Sequence, residues 1–488
     1  MIAATTLGHS LAKAGLLLDA LLAAEALCAL GRSRRLAVAG ALVLTPVLLA
    51  AALWKSSQVI HLRHHSLLAV ASILAALALL AALAVLFRSR PNLLAVCAVV
   101  ALPFRFSLLS GGTGGVLLVL YVVIGAGALA LVASGGRREG PPIGLLERAL
   151  AAFVVLYAIQ ALYTPDLSKA IQEVGFFFVP FALLFVLLRG VAWERALLER
   201  CARAVVALAL AFVAVAAVEY ASRRLLFHTA LNSNQRYFRV NSLFYDPNIY
   251  GRFLALTMIL VAAAVMWERS SRAILIASAV LLVLWLGLLG SVSQSSIVAL
   301  LAGLAVIGGA RFSPRTTAAV ATLVVAVAVV VAIAASGRLH LSLSDTASAN
   351  NATGGRVSLV KEGLKLFADR PIWGFGAGSF SCEYLRHTQH APQPACGAHP
   401  PPGVTSDSHT TPITVAAEQG AIGLLAYVGL LLAGVRALAA GGLRRSPARV
   451  AILAAFLALV VHTWAYADFL EDPIAWVLLA VGTVLARE

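Results

Sequence analysis

Residues 267–315 read WERSSRAILIASAVLLVLWLGLLGSVSQSSIVALLAGLAVIGGARFSPR. Two apolar runs flank a short polar gap, 291–294, that carries no arginine. Arg269 and Arg272 precede the pair, and Arg311 and Arg315 follow it. Each run is long enough to cross a bilayer as a helix. Arginine on alternate gaps is the charge asymmetry that orients membrane helices, with the basic gaps on the cytoplasmic side.

The same alternation extends along the chain. Of its 488 residues 61% are hydrophobic and 12% charged, about half the charged share of a soluble domain. Arg88 and Arg90, Arg137 and Arg138, Arg189 to Arg203, and Arg436 to Arg449 mark further basic gaps. The gaps between them, including 221–249, 337–411 and 466–472, belong to the other face. The expected fold is an all-α polytopic membrane protein of about 14 transmembrane helices, with a cytoplasmic C-terminus. The first apolar run leads into Arg32, Arg34 and Arg35 without a small-residue cleavage site, so it reads as a retained span. A net charge of +16 spread over short gaps in this way excludes nucleic acid as a partner. The chain divides into N-terminal spans of unassigned role (1–110), a transmembrane core (111–336), a long outer loop (337–411) and C-terminal spans (412–488).

Chemistry is expected in the two long outer gaps. In the longer, 355–371 reads GRVSLVKEGLKLFADRP, whose apolar and polar positions separate onto two faces, as in an amphipathic helix at a membrane surface. Gly374, Gly376 and Gly378 follow on alternate positions. With no preceding strand they do not make a dinucleotide fingerprint, and they read as a packed surface turn. His387, His390 and His399 have no compact metal-ligand spacing, so no metal is expected. Cys382 and Cys396 share this outer loop and are a candidate disulfide, whereas Cys28, Cys97 and Cys201 read as buried thiols.

His409 stands just before an apolar helix, in Ser408-His409-Thr410-Thr411-Pro412. Hydroxyl residues suit an N-cap and proline the first turn. The free N–H groups of such a helix start favour a phosphate, and a histidine there is a candidate general base. Asp246-Pro247 has the same helix-start chemistry. Arg239 and Arg356 lie on the outer face against the topological bias. Two arginines and a helix N-terminus are what a diphosphate needs.

Taken together, these motifs resemble the O-antigen ligase and polymerase superfamily over about residues 160–435. Arg239…Asp246-Pro247-Asn248…Gly251 resembles the family's arginine before a His/Asp-Pro-Asn turn. Gly355-Arg356, then Arg370-Pro371-Ile372-Trp373-Gly374-Phe375-Gly376 and Phe380, is similar to its loop pattern. His409, Thr410, Gly420 and Gly423 reproduce the spacing of the ligase histidine signature, with Glu418 in its Glu-x-Gly. At 291–300 Gln294 and Ser295 stand where the family's Ser-Arg-Gly has arginine and glycine.

The resemblance implies a GT-C-like, inverting membrane glycosyltransferase of the bacterial inner membrane that uses no metal, nucleotide sugar or other cofactor. Its donor would be an undecaprenyl-diphosphate-linked glycan at the periplasmic face. Its acceptor would be lipid A–core for a ligase, or another repeat unit for an O-antigen or exopolysaccharide polymerase. His409 would be the catalytic base and Arg239 and Arg356 the diphosphate ligands, with Asp246, Asn248, Arg370 and Glu418 in support. The reading from another class, a polysaccharide transporter or flippase, expects ionisable groups near the bilayer midplane; here the deep parts of the runs look almost free of charge.

Overall fold

The computed structural model describes residues 2–54, 60, 66–104, 117–134, 142–227, 238–312, 315, 356–389, 407–442 and 446–487. Among them the regular secondary structure is helical. Among the described residues, nine helices are long and apolar enough to cross a membrane, and three shorter apolar helices accompany them. The protein is therefore a multi-pass helical membrane protein. The apolar run within 316–336, counted among the 14 expected spans, lies outside the described residues, as do His390, His399 and Cys396.

The N-terminal helices are α1 (Ile2–Cys28), α2 (Gly31–Ala52), α3 (Ser66–Ser89), α4 (Pro91–Ala101) and α5 (Leu118–Ala133). Then come α6 (Leu145–Gln160), α7 (Leu167–Arg189) with a π-helical turn at Val174–Phe178, and α8 (Arg195–Ser222). The remainder comprises α9 (Pro247–Trp267), α10 (Ser271–Ser291), α11 (Gln294–Arg311), α12 (Arg356–Asp369), α13 (Phe380–Gln389), α14 (Thr411–Ala439), α15 (Pro447–Trp464) and α16 (Pro473–Leu485). The helix over Arg356–Asp369 matches the amphipathic segment read from the sequence. It packs against α14, with Leu359 and Leu366 turned inward.

Helices α9, α11 and α15 pack on one another, and α6 packs on α14. Close approach at the first crossing depends on Gly303, where a Cβ would lie 2.3 Å from Ile259 Cδ1. Asp246 caps α9, its Oδ1 accepting the Asn248 N–H at 2.6 Å, as expected of Asp before Pro. Buried Glu219, near the end of α8, holds the beginning and end of the following loop through the N–H groups of Leu226, Asn241 and Ser242.

Charge is less absent from the helices than the sequence suggests. Asp19, wholly buried in α1, accepts from Thr45 at 2.9 Å. Arg252 in α9 pairs with Asp472 at 2.8 Å, and Lys169 with Glu173 at 2.9 Å. Each group has a partner on the same or an adjacent helix, which is how charge is tolerated in such an interior. At the end opposite the candidate site, Arg189 meets buried Glu147 at 2.7 Å, and Arg449 bonds the Gly441 carbonyl at 2.6 Å.

Gly303→Val is expected to destabilise the protein by about 1–3 kcal/mol through overpacking. Gly309→Val, where a Cβ meets nothing within 4 Å, should change little. Melting of the two variants in detergent measures the difference.

Candidate active site

The site lies where the N-termini of α9, α11, α14 and α16 meet the C-termini of α10 and α15. His409 immediately precedes Thr410, the N-cap residue of α14, and Pro412 occupies the first turn. The Thr410 side chain makes no capping bond. Instead Asp407 Oδ1 accepts the His409 N–H at 2.7 Å. That bond accompanies a φ of +53° at His409, the left-handed region uncommon for most side chains but enriched in Asn, Asp and His. The imidazole Nδ1 lies 3.5 Å from the same carboxylate oxygen, and the side chain is 28% exposed. Its ring stacks on Tyr466 with centroids 5.7 Å apart.

Tyr466 joins the site's parts and is not among the residues expected from the sequence. Arg356, at the start of α12, lies over its ring at 5.9 Å and donates to the Ala465 carbonyl at 3.0 Å. His462 lies 5.6 Å away on another side. Burial raises the phenol's pKa well above its ordinary value, with Asp246 and Asp468 adding to the effect. It therefore remains a neutral aromatic platform. A sequence signal was present in hindsight, an aromatic within the arginine-poor gap 466–472.

Arg239 donates from Nε to the Ser291 carbonyl at 2.8 Å and from a terminal nitrogen to Asn248 Oδ1 at 2.9 Å. Burial lowers its pKa, Asp246 opposes the shift, and nearby Arg356 adds to it. A guanidinium stays charged through such changes. Thus Arg356 and His409, distant in sequence, share one partly open corner at Tyr466, and Arg239, held by Asn248 and the Ser291 carbonyl, lies near enough for its charge to interact with Arg356.

Arg370 and Glu418 fall outside that corner. Arg370 is exposed and stacks on Phe375 at 4.6 Å. Glu418 is buried and accepts the N–H groups of Gly378 and Phe380, each at 2.9 Å. The backbone explains why. Helix α14 breaks at Gly420, which has φ +65° and ψ −163°. Residues 371–376 run alongside the break and bond to it. Phe375 N–H and Gly376 N–H donate to the carbonyls of Ala417 and Glu418 at 3.3 and 2.8 Å. Ala421 N–H donates to the Pro371 carbonyl at 2.7 Å.

A Cβ on Gly374 would lie 2.2 Å from the Glu418 carbonyl oxygen, and one on Gly420 2.3 Å from that of Ile372. The alternating glycines and the Glu-x-Gly are two halves of one clamp, and the glycines serve close backbone contact. The packed-turn reading of Gly374–Gly378 is thereby given its partner.

Behind His409 is a cavity lined by Tyr157, Lys169, Glu173, Asp407, Glu418 and Glu471, among others. Burial raises the Glu471 carboxyl well above the ordinary carboxylate range, and Glu173 and Asp468 add to it. Buried Cys382 belongs to α13, beside the clamp; its expected partner Cys396 is outside the described residues.

Residues 277–428 match the family model for O-antigen ligase. The matched segment spans α10 to the first half of α14, and so includes Arg356, the clamp and His409. The match takes in a little under a third of the chain and supports a likeness to the O-antigen ligase and polymerase superfamily, which in general terms implies an enzyme of glycosyltransferase type. No curated protein matches the chain.

Glu418→Ala should loosen the clamp. Amide exchange at Gly378 and Phe380 is expected to accelerate about tenfold or more, since each loses a charge-assisted bond. Hydrogen exchange read by mass spectrometry over 374–380 checks this, and unchanged protection would remove Glu418 from that role.

Proposed function

We propose that the protein transfers a glycan from a polyprenyl diphosphate, undecaprenyl diphosphate in bacteria, to an acceptor hydroxyl at the face that carries His409. The observation that carries the reading is the convergence of Arg239, Arg356 and a partly exposed His409 around Tyr466. His409 takes the acceptor hydroxyl's proton as the oxygen attacks the anomeric carbon. The bond from that carbon to the diphosphate oxygen breaks, and the electron pair leaves with the diphosphate. Arg239 and Arg356 face the charge that develops there, where fixed donors act most strongly on rate. A single displacement of this kind inverts the anomeric centre and draws its positive charge from the two arginines alone.

The arrangement of charge supports a periplasmic site in the inner membrane. Arg269, Arg272, Arg311, Arg436, Arg449 and Arg487 lie at helix ends remote from His409, as the positive-inside rule requires of a cytoplasmic face. The histidine signature favours a ligase, with lipid A–core as acceptor, over a polymerase that extends the glycan on its own carrier.

Purified protein in lipid vesicles, given polyprenyl-diphosphate glycan and lipid A–core, tests the reading. Wild type should yield glycan-bearing lipid A, and His409→Ala should lose roughly 10²–10⁴-fold in rate, the usual worth of a positioned base. Lengthening of the donor glycan without transfer to lipid A–core would assign polymerase activity instead. A fully active His409→Ala would reduce His409 to a helix-start residue.

A further inference from the structure

His462, near the end of α15, is completely buried. A leucine there would fill space without the cost of burying an imidazole. Its Nε2 is 3.2 Å from the hydroxyls of both Ser295 and Ser296. Its Nδ1 has no hydrogen-bond partner among the described residues. Ser296 Oγ lies 2.8 Å from Ser293 Oγ, and Ser293 Oγ lies 3.0 Å from Asn248 Oδ1, the atom that accepts from Arg239. An unbroken path of side-chain contacts thus joins a buried histidine to an arginine of the candidate site.

Counting protons gives the path a direction. A guanidinium can only donate, so Asn248 turns its oxygen toward Arg239. Ser293 then donates to that same oxygen and accepts from the Ser296 hydroxyl. Ser296 in turn accepts from His462, which is protonated on Nε2. The longer contact of Ser296 Oγ with the Asn248 carbonyl, 3.3 Å, is secondary in this pattern. Space for the serines is made by Gly251, where a Cβ would lie 2.8 Å from Ser296 Oγ and 2.9 Å from Ser291 Oγ.

We infer that His462 is a positioning residue for Arg239, fixing through Ser296, Ser293 and Asn248 the orientation in which the guanidinium meets a diphosphate. The inference rests on the donor-binding reading of Arg239. No proton leaves the chain; its work is to keep Asn248 from rotating its amide, which would turn an N–H toward the guanidinium. The serines occupy the segment 291–296, where the resembling family has an arginine. Here that segment supports Arg239 from behind.

The test measures transfer kinetics of the full chain in vesicles with polyprenyl-diphosphate glycan as the varied substrate. His462→Leu should lower kcat/KM for the donor about tenfold, the fold-change expected of one hydrogen bond to an oriented charged group, and leave the acceptor KM unchanged. His462→Gln, whose amide N–H can replace Nε2–H, should recover most of the loss. In an Arg239→Ala background, His462→Leu should cost nothing further, because residues acting through one group are not additive. Should His462→Leu fail to fold, Ser293→Ala interrupts the same path and carries the same expectations.

Wild-type kinetics in a folded His462→Leu, or an undiminished loss in the Arg239→Ala background, would overturn the relay. A fully active Arg239→Ala would overturn the donor-binding reading itself, and the relay with it.

Discussion

A helix that breaks inside a membrane protein must find new partners for the backbone groups it releases. Helix α14 breaks at Gly420, and the carbonyls of Ala417 and Glu418 and the N–H of Ala421 are taken up by residues 371–376. The Glu418 carboxylate closes the contact by accepting from Gly378 and Phe380. This exchange makes one unit of segments far apart in sequence. It binds α12 and α13 to α14, the helix that follows His409. Arg356 on α12 and His409 before α14 keep their relative positions because of it.

The second organising element is Tyr466. Its ring lies within 5.6 to 5.9 Å of the His409 ring, the Arg356 guanidinium and the His462 ring. Behind it the serines of 293–296 and Asn248 form a polar layer between α9, α11 and α15. Such a layer is costly unless every member is partnered. Here its members converge on Arg239. On the proposed function, this held guanidinium would need little rearrangement to meet a diphosphate, and preorganisation of that kind is where electrostatic catalysis gains most.

Much of this was legible in the sequence because it depends on local signals. Membrane-length apolar runs, arginine-rich gaps, the Asp246-Pro247 helix start and the periodicity of 356–369 all have short-range causes. His409 stands out in the sequence by its place at a helix start before an apolar run, and Arg239 and Arg356 by charge on an arginine-poor gap, against topology. Tyr466 and His462 were not found, since an aromatic or a histidine at the end of an apolar helix has many innocent explanations. Only the packing of α15 against α9 and α11 gives them neighbours. Arg370 and Glu418 are expected from their motifs only as supporting residues. The geometry assigns Glu418 to the clamp and leaves Arg370 exposed, stacked on Phe375.

The clamped turn also carries Ile372 and Trp373, 59% and 57% exposed, with Tyr163 donating to the Trp373 carbonyl at 2.6 Å. Aromatic side chains of this kind settle at the boundary between headgroups and hydrocarbon. Because the turn is fixed to Ala417–Ala421 in the helix that follows His409, a boundary at which it settled would set the height of the histidine as a waterline marks a hull. On the proposed function, a lipid-anchored substrate would approach at a depth dictated by the same boundary. Protein and substrate would then be levelled against one reference plane, and their encounter would become a search in two dimensions.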